Sequence, residues 1–511
     1  MFLKPLTANK LIKHINDLKN NYSPGMDGIT TKIIKTIHLH LLEPLMHIIH
    51  LIFKTGKIPE IFKESIVIPI YKNSGNKEEI SNYRPISLIN NLGKIIEKCI
   101  KDRLINFLSS NNILSENQFG FAEERSTADA MYKLIKEVTN ELDSSSKTIA
   151  VFLDLARAFD TVSHPVLLDI LFSYGVGSTV LDVFRNYLND RTQYVKVNKT
   201  LSQPLKVNMG VPQDTVLGPI LLTVYINTLC NLDIGGRVIS YADDTALVFS
   251  SFSWDSVRNK LINGFNRVKI LLDNLKLTLN VNKTNYIAFT ITGINRPNFN
   301  SIIVNSLNQP IKEVLFTKYL GIIIDCNLKW ENHIQYLCKK IRCLIHKFYK
   351  MREFLQQKLL IMFYKSLVEP LLRYGIIVWG GAYNVHLHPL KVIQNSIIKI
   401  ILKKPRLFPS HLLYNEKICS IKSIYILTIC SFVYIHKDQQ HYLNQAHDTR
   451  TVTDNLPSIP SVKKNINQRF VNYLAPKFYN IIPRYIRDVE RLSRFKKLCK
   501  TFIAKNVDIF P

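Results

Sequence analysis

The segment Thr148-Ile149-Ala150-Val151-Phe152-Leu153-Asp154 constrains this chain more than any other. Its continuous β-prone apolar run reads as a strand covered on both faces. The strand ends in a carboxylate, which is costly to place beside apolar neighbours. Further along, from Arg237 to Phe249, two apolar half-strands flank Asp243-Asp244, the pattern of a β-hairpin with acids at its tip. At an effective dielectric near 20, two like charges about 4 Å apart repel by roughly 4 kcal/mol. Divalent cations relieve that repulsion. Mg²⁺ prefers carboxylate oxygens, retains waters and is usually shared with substrate phosphates. Taken alone, Tyr241-Ala242-Asp243-Asp244 fits a polar turn or a helix N-cap equally well.

The rest of the chain reads as ordinary globular material. Of 511 residues, 46% are hydrophobic and 21% charged, which excludes a disordered tail, a collagen-like rod and a disulfide-stapled miniprotein. The length allows about three domains. The opening 45 residues read as short helices around Ser23-Pro24-Gly25 and Asp27-Gly28 turns, and residues 58–72 as a strand ending at Tyr71-Lys72. Helical patterning covers Asn91 to Leu108, Pro165 to Tyr174 and Thr179 to Leu188. The uncharged stretch Thr215–Leu232 is long enough to span a bilayer, but Pro219, Asn227 and Asn231 make a buried core helix the better reading. Eight cysteines show no CxxC pair or zinc-type spacing, so neither a metal finger nor a disulfide framework is expected. The start, MFLKPLTANK, lacks a signal-peptide apolar run, which points to an intracellular, reducing location in cytoplasm or nucleus.

Charge is unevenly distributed. Residues 1–325 carry 36 basic and 29 acidic side chains, a net of +7, whereas residues 326–511 carry 31 and 10, a net of +21. Such a surface attracts polyanions, nucleic acid first and an anionic membrane second; a solubilising surface is the bland alternative. Beyond Trp330, Ile334, Leu337, Cys338, Ile341, Leu344, Ile345 and Phe348 form one helical stripe, with Lys339, Arg342, Lys347 and Lys350 opposite. That basic face reads either as a solvated surface or as a phosphate-backbone contact. The tail from Asn465 to Lys505 is similar.

Six ordered blocks then sharpen the reading. They are Ser81-Asn82-Tyr83-Arg84-Pro85-Ile86-Ser87-Leu88; Asn117-Gln118-Phe119-Gly120-Phe121 with Arg125-Ser126-Thr127; Phe152-Leu153-Asp154-Leu155-Ala156-Arg157-Ala158-Phe159-Asp160; Gly210-Val211-Pro212-Gln213; Tyr241-Ala242-Asp243-Asp244; and Tyr319-Leu320-Gly321. In this series the chain resembles the reverse transcriptases of non-LTR (LINE-type) retrotransposons, particularly jockey-like elements. Tyr364-Lys365-Ser366-Leu367-Val368 and Phe495-Lys496-Lys497 extend the resemblance into the C-terminal region.

The resemblance implies an α+β right-hand polymerase: fingers, a palm with an antiparallel sheet, a helical thumb, and a mainly helical C-terminal extension. Expected divisions are an N-terminal helical extension at 1–51, fingers and palm at 52–325, a thumb-like region at 326–380 and a basic helical region at 381–511. Fingers are expected from residues before about 147. The implied activity is RNA-directed DNA synthesis from dNTPs on a DNA primer and RNA template, with two Mg²⁺ ions, or Mn²⁺ as substitute. Asp154 and Asp243, with the Leu155 carbonyl, would hold the metals, and Asp244 would be the third, less direct carboxylate. Phe159 would lie under the sugar and exclude a 2′-hydroxyl. Lys72 and Arg84 would grip the triphosphate, and Gln213 would pack against the nascent pair. Lys283 is a weaker candidate for protonating pyrophosphate. Leu320-Gly321 would form the primer grip, with glycine admitting close backbone approach. As lone residues, each also fits an ordinary surface, turn or core role.

Two departures stand out. Asp214 replaces a glycine the family nearly always has, adding charge and, if φ is positive there, about 1 kcal/mol or more of strain. Ala122-Glu123-Glu124 replaces a usually basic or glycine-containing stretch. An impaired copy is therefore expected, and a catalytically inactive RNA-binding relic is the alternative; a group II intron maturase, which shares the palm, fits less well. The family's endonuclease and Cys/His knuckle are not legible, which reads as a truncated or partial frame served by a separate endonuclease.

Overall fold

The computed structural model describes residues 1, 3–20, 23–73, 75–122, 125–291, 296–297, 299, 301–302, 310–436 and 456–510. Glu123 and Glu124 lie outside these residues. Among those described, the strands are β1 (Glu64–Tyr71), β2 (Tyr83–Ile89), β3 (Lys147–Leu153), β4 (Arg191–Val197), β5 (Thr200–Leu201), β6 (Leu205–Val207), β7 (Arg237–Tyr241), β8 (Asp244–Ser251), β9 (Asn285–Phe289), β10 (Ser301–Ile302), β11 (Ile311–Glu313), β12 (Phe316–Tyr319) and β13 (Ile322–Asp325). They build a mixed α/β fold with a sheet ordered β10-β11-β9-β3-β8-β7, a second ordered β2-β1-β4-β5 with β6 also on β4, and the β12–β13 pair.

β3 sits centrally and runs antiparallel to both neighbours, from Lys147↔Ser251 to Leu153↔Thr245 on one side and Thr148↔Phe289 to Phe152↔Asn285 on the other. Its side-chain alternation divides the interior. Ala150 and Phe152 enter one buried cluster, whereas Ile149, Val151 and Leu153 enter another. The second cluster gathers the N-terminal helices with the helices Asn91–Ser110, Gly218–Cys230 and Trp254–Asn274. The first takes in the helix Thr127–Asp143 and continues through β12–β13 into the helices Glu331–Phe354, Asn384–Ile401, Ile421–Ile435 and Leu492–Lys505. This core is continuous across residue 380.

Local chemistry explains where the elements start and stop. The N-terminal helices are Ala8–Asn16, Thr31–Thr36 and His38–Thr55; the last runs past residue 51 and stops at Gly56, φ +72. β1 pairs antiparallel with β2 and parallel with β4, so the sheet built on β1 recruits residues well beyond 147. Without β4, the second edge of β1 would present unpaired N–H and C=O groups. The Thr215–Leu232 stretch forms the buried helix Gly218–Cys230. Among the described residues no helix is long and apolar enough to cross a membrane.

Two buried carboxylates fix the geometry around the sheet. Glu97 Oε2 accepts from the Val216 and Leu217 amides at 2.7 and 3.1 Å, just ahead of the helix Gly218–Cys230. Its Oε1 accepts from the Tyr187 hydroxyl at 2.7 Å, and the Arg191 guanidinium stacks on the Tyr187 ring. Burial pushes the Glu97 carboxyl up, opposed by Tyr187, Arg191 and these amides. Asp325 accepts from the Lys329 and Trp330 amides, both at 2.7 Å, closing the turn that launches the helix Glu331–Phe354. That helix buries Ile334, Leu337, Cys338, Ile341 and Phe348 and exposes Lys339, Arg342, Lys347 and Lys350, as its pattern predicts. All eight cysteines are free thiols.

Truncating Glu97 would strand two amides and a phenol in the interior. Glu97→Ala is expected to lower the unfolding free energy by about 3–5 kcal/mol, measured by urea denaturation, and Glu97→Gln by less because it keeps an acceptor.

Candidate active site

The ladder between β3 and β8 brings the distant carboxylates together. Leu153 faces Thr245, so the next antiparallel step sets Asp154 opposite Asp244. In the adjoining hairpin Tyr241 pairs with Asp244, leaving Ala242 and Asp243 as a two-residue turn with Ala242 at φ +55. Period-two alternation puts Asp154 on the side of Phe152 and Asp244 on that of Ala246, the face of the first cluster. The charges feel one another. Burial pushes the Asp243 carboxyl up, and the Asp154 charge adds to it. Burial, then Asp243, then Asp154, push Asp244 up to about 6.

Leu155 continues the strand through a bridge to Leu279, in which the Asp154 carbonyl and Ala156 amide bond to the Asn280 amide and Thr278 carbonyl. The Leu155 carbonyl therefore points to the opposite side. This donor set, carboxylates plus a backbone oxygen, suits a hard cation such as Mg²⁺. Among the described residues, no group of three or more His, Cys, Asp or Glu side chains could hold a metal ion by itself.

A buried polar brace underlies the turn. Gln118 Oε1 accepts from the Gly120 amide at 2.8 Å and the Ala242 amide at 3.0 Å, while its Nε2 donates to Ser240 Oγ at 3.3 Å. The Phe119 amide donates to the Ser240 carbonyl, and Ser240 returns its own amide to Asn117. A Cβ on Gly120 would lie 2.2 Å from the Ala242 nitrogen, so only glycine permits this approach. Arg125 donates to the Ser115 and Gln118 carbonyls and locks the loop. The role of Gln118 leaves no signal in the sequence, where it simply follows the polar residues Ser115, Glu116 and Asn117. Thr284 supports the other carboxylate, its hydroxyl accepting from the Asp154 amide at 3.3 Å. Lys283 is the exposed neighbour in the same turn.

The remaining candidates fall into two groups. Arg84 lies on β2 opposite Ile70. Lys72 follows β1, its Nζ donating to the Ser81 carbonyl at 2.8 Å. Gln213 Nε2 donates to Asp160 Oδ1 at 3.1 Å. Burial pushes the Asp160 carboxyl up, while Gln213, Arg157 and then Lys72 pull it down. The Val211 amide donates to the Phe159 carbonyl at 2.7 Å, which ties Gly210-Val211-Pro212-Gln213 alongside the half-buried Phe159. Asp214 is exposed with φ +61, the left-handed conformation that favours glycine.

Leu320 and Gly321 form the β12–β13 turn at φ +44 and +82. Gly321 is crowded by the Tyr374 ring rather than by a second backbone, since a Cβ there would meet that ring at 3.1 Å. The hairpin is clasped to the carboxylate strands: the Tyr319 hydroxyl lies 3.2 Å from the Asp244 carbonyl and 3.4 Å from that of Ile239. The Phe152 and Tyr319 rings also touch, centroids 5.3 Å apart.

The family model described as "Reverse transcriptase (RNA-dependent DNA polymerase)" matches residues 70–324, which contain the β7–β8 hairpin and all three acids. The chain belongs to the non-LTR retrotransposon reverse transcriptases. It is 28% identical over 418 residues to the "Probable RNA-directed DNA polymerase from transposon BS" of Drosophila melanogaster, covering 79% of this chain and 45% of the relative. Over 410 residues it is 25% identical to the "Probable RNA-directed DNA polymerase from transposon X-element" of the same species, covering 78% and 44%. Over 414 residues it is 27% identical to the "RNA-directed DNA polymerase from mobile element jockey", also from Drosophila melanogaster, covering 79% and 44%. The chain thus spans less than half the length of these curated relatives.

The raised acids have a consequence for stability that unfolding measurements can read. The folded Asp244 retains its proton up to about 6, against an ordinary 3.8. Between those values the unfolded chain releases a proton that the folded chain keeps, so stability falls as pH rises through the window and levels above it. The loss is small, because water screens the exposed Asp244 side chain. Asp243→Asn, which removes a neighbouring charge, is expected to shrink that loss and raise stability at pH 7, measured by urea unfolding across pH 4–8.

Proposed function

We propose that this chain is an RNA-directed DNA polymerase that extends a DNA primer on an RNA template using dNTPs. The observation that carries the reading is the adjacency of Asp154, Asp243 and Asp244 on one face of the β3–β8 ladder and its hairpin tip. On this reading the β1–β2 sheet serves as fingers, the β3 sheet as palm and the helices after residue 326 as thumb and C-terminal extension. Asp154, Asp243 and the Leu155 carbonyl would hold Mg²⁺, or Mn²⁺ in its place, with Asp244 less direct. When bound, the metal lowers the pKa of a 3′-hydroxyl and neutralises charge on departing pyrophosphate.

The chain's own groups supply the rest. The primer 3′-oxygen attacks the α-phosphorus, the bond to the β-phosphate oxygen breaks, and the hydroxyl proton passes to solvent. Lys72 and Arg84, from the two strands of one hairpin, bind the triphosphate as mobile charge and planar fork. Phe159 presents a ring that leaves no room for a 2′-hydroxyl. Gln213, held by Asp160, packs on the nascent pair. Lys283, one residue from the threonine that supports Asp154, donates a proton to pyrophosphate. The Leu320-Gly321 turn seats the primer end. Lys339, Arg342, Lys347 and Lys350 meet the nucleic-acid backbone, giving a steep fall of affinity with salt.

Primer extension on an RNA template tests the reading. Extension is expected with Mg²⁺, and none with chelator or with Asp243→Ala. Binding without extension under every metal condition would instead support an inactive RNA-binding relic, which Asp214 favours. Asp214 places a side chain at positive φ and a negative charge beside Gln213, where a triphosphate must sit. Asp214→Gly is expected to add about 1 kcal/mol of stability and to raise the extension rate. Equal rates for both forms at saturating nucleotide would refute the impairment.

A further inference from the structure

The chain beyond residue 326 returns to the carboxylate face at one sharp corner. The helix Glu369–Arg373 ends at Tyr374, and Gly375, φ +59, turns the backbone into the short helix Ile376–Trp379. The corner is fixed from within. The Tyr374 amide donates to the Pro370 carbonyl and the buried Trp379 indole N–H to the Tyr374 carbonyl, both at 3.0 Å. β13 packs directly on it, since a Cβ on Gly375 would lie 2.1 Å from Ile322 Cδ1.

The Tyr374 side chain does something else. It is 44% exposed, so core packing does not account for it. Its hydroxyl donates to the Leu320 carbonyl at 2.6 Å, and its ring is the atom group that crowds Gly321. Leu320 is a non-glycine residue at φ +44, a conformation that persists only when its surroundings hold it. Tyr319 anchors the strand side of this turn to Ile239 and Asp244. Tyr374 supplies the tip carbonyl with its hydrogen bond from the helical side of the corner.

We propose that Tyr374 is a positioning residue: its hydroxyl pins the Leu320-Gly321 turn at a fixed height over the Asp243 hairpin, so that the helical region after residue 326 sets where the primer end rests. The proposal rests on the polymerase reading for its consequence, and on the hydrogen bond for its mechanism. The pin couples thumb-side helices to catalysis without touching substrate.

The test uses the full chain as wild type, Tyr374→Phe and Tyr374→Ala. Amide hydrogen exchange across residues 318–323 is expected to quicken by about 3–10-fold in Tyr374→Phe, the loss of one hydrogen bond, while the thermal midpoint stays within a degree or two of wild type. In primer extension, Tyr374→Phe is expected to lower kcat by about 3–10-fold with KM for dNTP unchanged, because the primer end rather than the nucleotide is misplaced. Unchanged exchange in Tyr374→Phe overturns the pin whatever the activity. Wild-type behaviour of Tyr374→Phe beside a defective Tyr374→Ala assigns the residue to packing and also overturns it. If wild type extends no primer, the polymerase reading fails, while hydrogen exchange still decides the pin.

Discussion

Pairing of β3 with β8 is the constraint on which the rest depends. It sets Asp154 against Asp244 and holds Asp243 in the next turn, where burial first and the neighbouring acids second raise the Asp243 and Asp244 carboxyls. Such an arrangement persists only because the same ladder buries apolar side chains on both faces. Ile149, Val151 and Leu153 are held on one side, and Ala150 and Phe152 on the other. Each fully buried aliphatic side chain contributes about 1.5–3 kcal/mol, so a few of them outweigh the carboxylate repulsion. The acids are strained guests at the end of a strongly bonded strand.

Rigidity at that end comes from polar groups rather than from more apolar mass. Gln118 saturates the turn amide of Ala242, Thr284 the amide of Asp154, and Tyr319 reaches the Asp244 carbonyl. Each is contributed by a different stretch of chain, and each bonds backbone, leaving the carboxylate oxygens unoccupied by these three groups. Side chains that hold only the backbone can position a site without competing for its ligands. Glu97 plays the same part elsewhere, fixing the backbone of Val216 and Leu217, two and three residues after Asp214.

The core that starts under Phe152 runs without a break through β12–β13 into the C-terminal helices. Displacement of those helices would therefore be felt at the turn beside the acids. Charge follows a complementary division: most of the excess positive charge lies in the last third of the chain, where Lys339, Arg342, Lys347 and Lys350 occupy a helix face turned away from this core. Packing ties these helices to the sheet while their outer faces remain available to a polyanion.

Much of this was legible in the residues themselves. The five-residue apolar run Ile149–Leu153 reads as a covered strand, Asp243-Asp244 between two half-strands as a hairpin tip, and the stripe from Ile334 to Phe348 as one helix face, because local periodicity points to each. Asp214 was legible as a misfit, and its backbone does adopt the left-handed region. What the residues could not announce is pairing. Nothing in Gln118 points to Ala242, nothing in Tyr374 to Leu320, and nothing in β1 to β4, since their partners lie far along the chain. Hydrogen bonds between side chains and distant backbone leave no periodic trace, so sequence determined the elements and their chemistry, and only tertiary structure decided which of them meet.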